Sequence, residues 1–210
     1  MEEKELRDRT ILLLALCCMS RPSDLSKNVV TRPRLIFGEH KPNQDGSVDK
    51  YVDIVMLGTK TDTKMDGRKV RVYEVSLAER CPIRHLRAYL QRTMDRALRF
   101  KTIHNEQVPL FLTTESYARS VKEERGLTAD TIASILKHIL DLAGIKSVHG
   151  QGKISARSIR PTAATQAFAA GISLTDILDT GGWSTESADL LRKHYLRPCR
   201  RNNVSSSILM

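Results

Sequence analysis

The sequence predicts an α+β domain that is mainly helical and carries one small antiparallel sheet of about three strands. Three observations lead there. Apolar residues recur at helical spacing near the N-terminus and through most of the chain beyond residue 82. Between these regions, "YVDIVML" (51–57) and "KVRVYEV" (69–75) alternate in the manner of half-buried strands. No repeat, low-complexity run or clear linker divides the 210 residues, a length that suits one domain with a sizeable core.

In chain order, residues 3–19 read as a helix whose apolar face includes Leu6, Ile11, Leu14 and Leu16. It stops at "SRPSDLS", where Pro22 and its Ser and Asp neighbours signal a break and a new turn. Short β-like runs follow at 34–37, 51–57 and 69–75, joined by "GEHKPNQDGS" and by "GTKTDTKMDGR" with its Asp-Gly turn. A helix over 82–98 begins on Pro82, which suits a first helical turn. "PLFLT" (109–113) reads as one more short strand. The next helix has Thr128 as its N-cap and Gly144 as its stop, with Ile132, Ile135, Leu136 and Ile139 on one face. Helices over 155–171, 173–182 and 185–195 complete the order.

The formal charge is +10, from 34 Lys and Arg against 24 acids, with a pI near 9.7. A folded domain this basic suits a polyanionic partner, nucleic acid first. The four cysteines (17, 18, 81 and 199) form no CxxC pair and no His/Cys cluster, which argues against a zinc site and for reduced thiols. The run "ILLLALCCM" is too short to span a bilayer, and its charged N-terminal flank and the lack of a small-residue cleavage site argue against a signal peptide.

Several boxes carry more information together than alone. Arg157 and Arg160 stand three apart in "SARSIRPTAATQAFAAG", a spacing that shares a helical face. Arg160 precedes Ala170-Gly171, a short Ile/Leu helix, "GGW" (181–183) and then Tyr195, the only tyrosine after the only tryptophan. This series resembles the catalytic domain of the tyrosine recombinases, or phage-type integrases, and its tryptophan form is similar to that of the Cre branch. "LLLALCCMSRPSDLSK" resembles the family's first arginine box, with Arg21 as the arginine and Asp24 as the acid that steadies the turn. "IVMLGTKTDTKMDGRKVRV" resembles the hairpin that carries the family's lysine, with Lys60 in that place and Lys64 and Lys69 as competitors. The resemblance runs over about residues 5–198. The segments "CPIRHLRAYL" and "RKHYLRP" are most similar to integrases of eukaryotic mobile elements of the Crypton and DIRS-like groups.

The resemblance implies a DNA strand-breaking and rejoining enzyme that works without metal, ATP or other cofactor. Arg21 and Arg160 would clamp the scissile phosphate, Tyr195 would attack it to give a 3′-phosphotyrosyl intermediate, Lys60 would protonate the leaving 5′ oxygen, and Trp183 would donate its indole N–H to a phosphate oxygen. These assignments suit the chemistry. A guanidinium gives two parallel hydrogen bonds to an anion and keeps its charge, and nearby cations favour the ionised phenol. Two departures stand out. Arg157 occupies the place usually held by His or Lys and cannot act as a base, which leaves solvent or a neighbour to take the tyrosine proton; His149 and His194 are candidates by proximity alone. The stretch from Trp183 to Tyr195 is also a few residues longer than in the Cre branch.

The expected organisation is a catalytic domain over 1–198, a tail over 199–210 that is disordered or docks on a neighbour, and no N-terminal core-binding domain. The expected partners are double-stranded DNA and further copies of the chain, as a dimer or tetramer on DNA, with no membrane and no small-molecule substrate. The location would be intracellular, nuclear if the source is eukaryotic and otherwise cytoplasmic. Two alternatives stay open: a domesticated, catalytically silent DNA-binding protein, and DNA relaxation of the type IB topoisomerase kind with the same residues.

Overall fold

The computed structural model describes residues 1–43, 47–59, 62, 66–145 and 154–194, with His194 described by its backbone alone. Helix α1 (Glu3–Cys17) buries Leu6, Ile11, Leu14 and Ala15 and ends against a break. A short 3-10 turn, Pro22–Leu25, follows. Strands β1 (Leu35–Glu39), β2 (Lys50–Met56) and β3 (Arg68–Tyr73) then form an antiparallel sheet in the order β1-β2-β3. The register pairs Leu35 with Ile54 and Val52 with Val72. Val52, Ile54, Met56, Val70 and Val72 point inward and are fully or almost fully buried. On the other face Asp53 takes two bonds from Arg71, at 2.7 and 2.8 Å.

Helix α2 (Pro82–Arg92) packs beside α1 and β3, and α3 (Met94–His104) continues from it. The sequence pattern predicts one helix here; the structure breaks it at Thr93. The reason is local. Thr93 Oγ1 donates to the Tyr89 carbonyl at 2.7 Å and accepts from Arg32 at 2.6 Å, while the Thr93 carbonyl also faces Arg32, at 3.4 Å. The Thr93 N–H and carbonyl keep their helical bonds to Tyr89 and Ala97, and the added hydroxyl and guanidinium contacts bend the ladder there. The segment 109–113 forms isolated bridges, Thr31 with Pro109 and Leu112 with Gly126, instead of the expected strand. The short helix α4 (Glu115–Val121) has no counterpart in the sequence reading.

Helix α5 (Ala129–Leu142) is capped by Thr128, whose hydroxyl accepts the Thr131 N–H, and Gly144 beyond its end takes a positive φ of 65°. Next come α6 (Ile159–Ala169), α7 (Leu174–Gly181) and α8 (Ala188–His194). The described residues thus hold eight α-helices and one three-stranded sheet, the mainly helical α+β arrangement expected. Most of the apolar core joins α1, the sheet, α2 and α5 around Ile11, Leu14, Ile54, Leu86, Tyr89 and Phe111. A second cluster, Met19, Ala163, Ala164, Ile177, Leu178 and Leu191, ties α6, α7 and α8 to the end of α1. Among the described residues no helix is long and apolar enough to cross a membrane.

Candidate functional site

The two clusters meet where α1 ends, and the distant arginines come together there. Met19 turns the chain with a left-handed φ of 46°, and its carbonyl accepts from Arg160 Nη1 at 2.8 Å. Arg21 follows in extended conformation as the cap of the Pro22–Leu25 turn. The Arg21 N–H donates to Asp24 Oδ2 at 2.9 Å, and the Asp24 N–H donates to the Arg21 carbonyl at 2.9 Å. This reciprocal pair closes the turn.

Arg157 and Arg160 arrive from the other end of the chain. Arg157 lies in a 3-10 turn, Ala156–Ser158, braced by the Ser155 N–H on Ser158 Oγ at 3.2 Å. Arg160 lies in the first turn of α6. The small residues Ala163 and Ala164 let α6 approach the end of α1 closely. Arg157 is exposed, whereas Arg160 is only 3% exposed. Despite this difference Arg21, Arg157 and Arg160 line one groove of about 880 Å³, together with Ser23, Ser134 and Lys137. Asp24 lies beneath it with Oδ2 3.7 Å from Arg160 Nη1, and exposed Asp130 stands along it.

Trp183 joins from α7, its ring 3.8 Å from the Arg160 guanidinium carbon. A flat cation on an indole face is attracted to it and is held in one plane. The glycine pair before Trp183 makes this contact possible. A Cβ on Gly181 would lie 1.7 Å from the Trp183 ring. Gly182 has a φ of 67°, and a Cβ there would lie 2.7 Å from Arg68 Cδ.

Arg68 is a residue that motif reading passed over. It opens β3, yet its side chain is only 11% exposed and reaches the far side of the site. Nη1 donates to the Thr180 carbonyl at 2.6 Å, and Nη2 lies 3.3 Å from Ser20 Oγ, 3.0 Å from Met56 Sδ and 3.9 Å from Asp24 Oδ2. Burial pulls its pKa down and Asp24 opposes that shift, but an arginine stays charged. Its sequence signal is parity alone: Arg68 stands one position before the run read as 69–75, in step with Val70 and Val72, and the structure extends the strand to include it. One buried carboxylate oxygen therefore faces the Arg21 amide, Arg68 and Arg160, and the cluster keeps an excess of positive charge.

Lys60, Lys64, Tyr195 and His149 lie outside the described residues, as does the His194 side chain. Lys69 is exposed and pairs with Asp53 at 3.8 Å, on the sheet face away from the core. Among the described residues no group of three or more His, Cys, Asp or Glu side chains is placed to hold a metal ion. Cys18 lies fully buried below the turn, and burial, reinforced by neighbouring Cys17, pushes its thiol up to about 12.

No protein-family model and no curated protein matches the chain. Solved structures do. The XerH site-specific recombinase bound to palindromic difH substrate, in a post-cleavage complex, superposes with a TM-score of 0.62 at 13% identity, covering 100% of this chain and 47% of that one. The same recombinase in a pre-cleavage complex with difH substrate gives a TM-score of 0.59, also at 13% identity and with the same coverage. The chain thus spans about half the length of that recombinase. At this identity the likeness is one of fold: the helical body with its three-stranded sheet resembles the catalytic domain of a tyrosine recombinase.

Proposed function

We propose that this protein breaks and rejoins DNA strands as a tyrosine recombinase or integrase, through a 3′-phosphotyrosyl intermediate. The observation that carries the reading is the meeting of Arg21 and Arg160, remote in sequence, in one basic groove over a shared carboxylate. A phosphodiester gains charge on its non-bridging oxygens during in-line attack. Fixed guanidinium groups stabilise that charge more than they stabilise the ground state. Asp24 holds the Arg21 turn, and the Trp183 ring lies against the Arg160 guanidinium. Exposed Arg157 adds a further cation at the groove without any capacity to remove a proton.

In this reading the Tyr195 oxygen attacks phosphorus, the bond from phosphorus to the 5′ oxygen breaks, and Lys60 supplies the proton to that leaving oxygen. The phenol proton passes to solvent. Rejoining runs the same steps backwards with a 5′ hydroxyl as nucleophile, so the energy of the broken bond is kept in the protein–DNA ester. The substrate is double-stranded DNA, and recombination between two duplexes calls for more than one copy of the chain.

One feature favours a second reading. Arginine in place of the usual His or Lys suits a domesticated DNA-binding protein that has lost cleavage. A suicide substrate with a nick near the cleavage site, resolved on a denaturing gel, separates the two. The expected result is a covalent protein–DNA adduct that disappears in Tyr195→Phe. Intact DNA binding with no adduct across a broad substrate set would favour the silent protein. Relaxation of a single supercoiled duplex without a synaptic complex would instead indicate topoisomerase-like activity.

A further inference from the structure

We propose that Arg68 is the positioning residue of this site: a buried strut that fixes the Thr180–Trp183 segment against the Asp24 turn and so sets the stack of Trp183 on Arg160. Its catalytic consequence rests on the recombinase reading above; its structural part does not.

Arg68 spans three parts of the fold with one planar group. Its Nη1 bonds the Thr180 carbonyl near the end of α7, where the helix leaves unsatisfied oxygens and negative partial charge. Its Nη2 meets Ser20 Oγ and Met56 Sδ and approaches Asp24. Its aliphatic stem fills the space beside Gly182 that a Cβ would need. The segment that delivers Trp183 is therefore closed on one side by Arg68 and on the other by the Trp183 ring itself, which leaves no room for a Cβ at Gly181. Trp183 in turn stacks on Arg160.

Stability alone explains this arginine poorly. Its Nε is buried with no hydrogen-bond partner among the described residues, and its nearest carboxylate is 3.9 Å away. A buried cation with incomplete bonding is seldom better for stability than an apolar side chain of similar size. The fork's value lies in geometry, because a lysine in its place keeps the charge but cannot reach Thr180 and Ser20 together in one plane.

Trp183 is the sole tryptophan, so its fluorescence reads the strut directly. Wild type, Arg68→Lys and Arg68→Met are compared by circular dichroism, thermal unfolding, tryptophan emission and acrylamide quenching, all without DNA. The expected result is that both variants fold, with Trp183 emission moved to longer wavelength and quenching increased in each. A wild-type emission and quenching profile in the folded variants would overturn the strut. Failure of both variants to fold would make Arg68 a stability residue and overturn it equally.

On the suicide substrate, adduct formation should slow by about 10- to 100-fold, since small misplacements cost that much, while the half-saturating DNA concentration stays close to wild type. A wild-type adduct rate in a variant whose Trp183 has shifted would remove the catalytic part of the proposal. Absence of any adduct in the wild type would sink the recombinase reading, and the fluorescence would still decide the strut.

Discussion

Arg160 carries more of the site than any other described side chain. It is almost fully buried, it bonds the Met19 carbonyl, it shares Asp24 with Arg21 and Arg68, and its guanidinium carbon lies over the Trp183 ring. Charge alone does not meet these demands. In Arg160→Lys the positive charge remains, but the planar fork and the stacking face are lost. Adduct formation is expected to fall roughly 10²- to 10³-fold, the scale seen when one oriented donor to a developing oxyanion is removed. A fall of less than about threefold, well below that scale, in quantified adduct gels would show that Arg160 is not at the reacting phosphate. The three-residue spacing predicts Arg157 and Arg160 on one helical face. The structure separates them, because the chain enters α6 through a 3-10 turn that leaves one arginine in solvent and turns the other under the end of α1.

At the scale of the element, the short α7 and its exit decide how Trp183 is delivered. Ser173 caps the helix by accepting the Asp176 N–H at 3.1 Å, and Gly182 ends it in the left-handed conformation. Gly181 is the tighter of the two glycines, since an added methyl would sit inside the tryptophan ring. Gly181→Ala is therefore expected to expel Trp183 from Arg160 and to cost about 1–3 kcal/mol, the usual range for overpacking. Urea unfolding followed by tryptophan fluorescence reads both effects, and a variant with unchanged midpoint and unchanged emission would refute the close approach. The break between α2 and α3 shows the opposite balance. There the helical pattern runs on through Thr93, and Arg32, at the start of a 3-10 turn sixty-one positions away in sequence, bends it. Thr93 keeps its own helical bonds, its N–H on the Tyr89 carbonyl and its carbonyl on the Ala97 N–H, both at 3.0 Å, so the contact kinks the helix through a φ of −106° at Thr93 and does not displace those bonds.

At the scale of the whole molecule, the N-terminus is tied to the middle of the chain by an ionic clamp remote from the groove. Arg96 is 4% exposed and bonds Glu124 through Nε and Nη2, Glu3 through Nη1, and the Thr113 carbonyl at 2.7 Å; Arg99 adds a bond to Glu124 at 2.9 Å. Burial opposes ionisation of Glu124, but the Arg96 and Arg99 guanidinium groups overcome it and hold its pKa below the ordinary carboxylate value. A depressed carboxylate contributes stability that is complete above its unfolded pKa. That contribution is lost as pH falls through the lower, folded pKa. The clamp should thus weaken from about pH 4.5 downward. Glu124→Gln should cost about 3–5 kcal/mol at neutral pH, as for other broken buried pairs, and should flatten the acid limb of the stability curve. Urea midpoints measured from pH 3 to pH 7 test this; parallel curves for the two proteins would contradict it.

The amino-acid sequence alone specifies the mainly helical fold and the three-stranded sheet, and it singles out three of the arginines that line the basic groove, Arg21, Arg157 and Arg160. The helices and strands follow from local periodicity and turn chemistry, and the three arginines from the ordered boxes that hold them. Which arginine is buried, what lies against Trp183, and the contact of Arg68 with the end of α7 emerge only when the chain is packed. The difference is one of range. Helix and strand patterns are encoded within a few neighbouring residues, whereas Arg68 meets Thr180 and Ser20 across distant segments that no period connects. Its role became visible when a strand, a turn and a helix end were brought within the reach of one guanidinium.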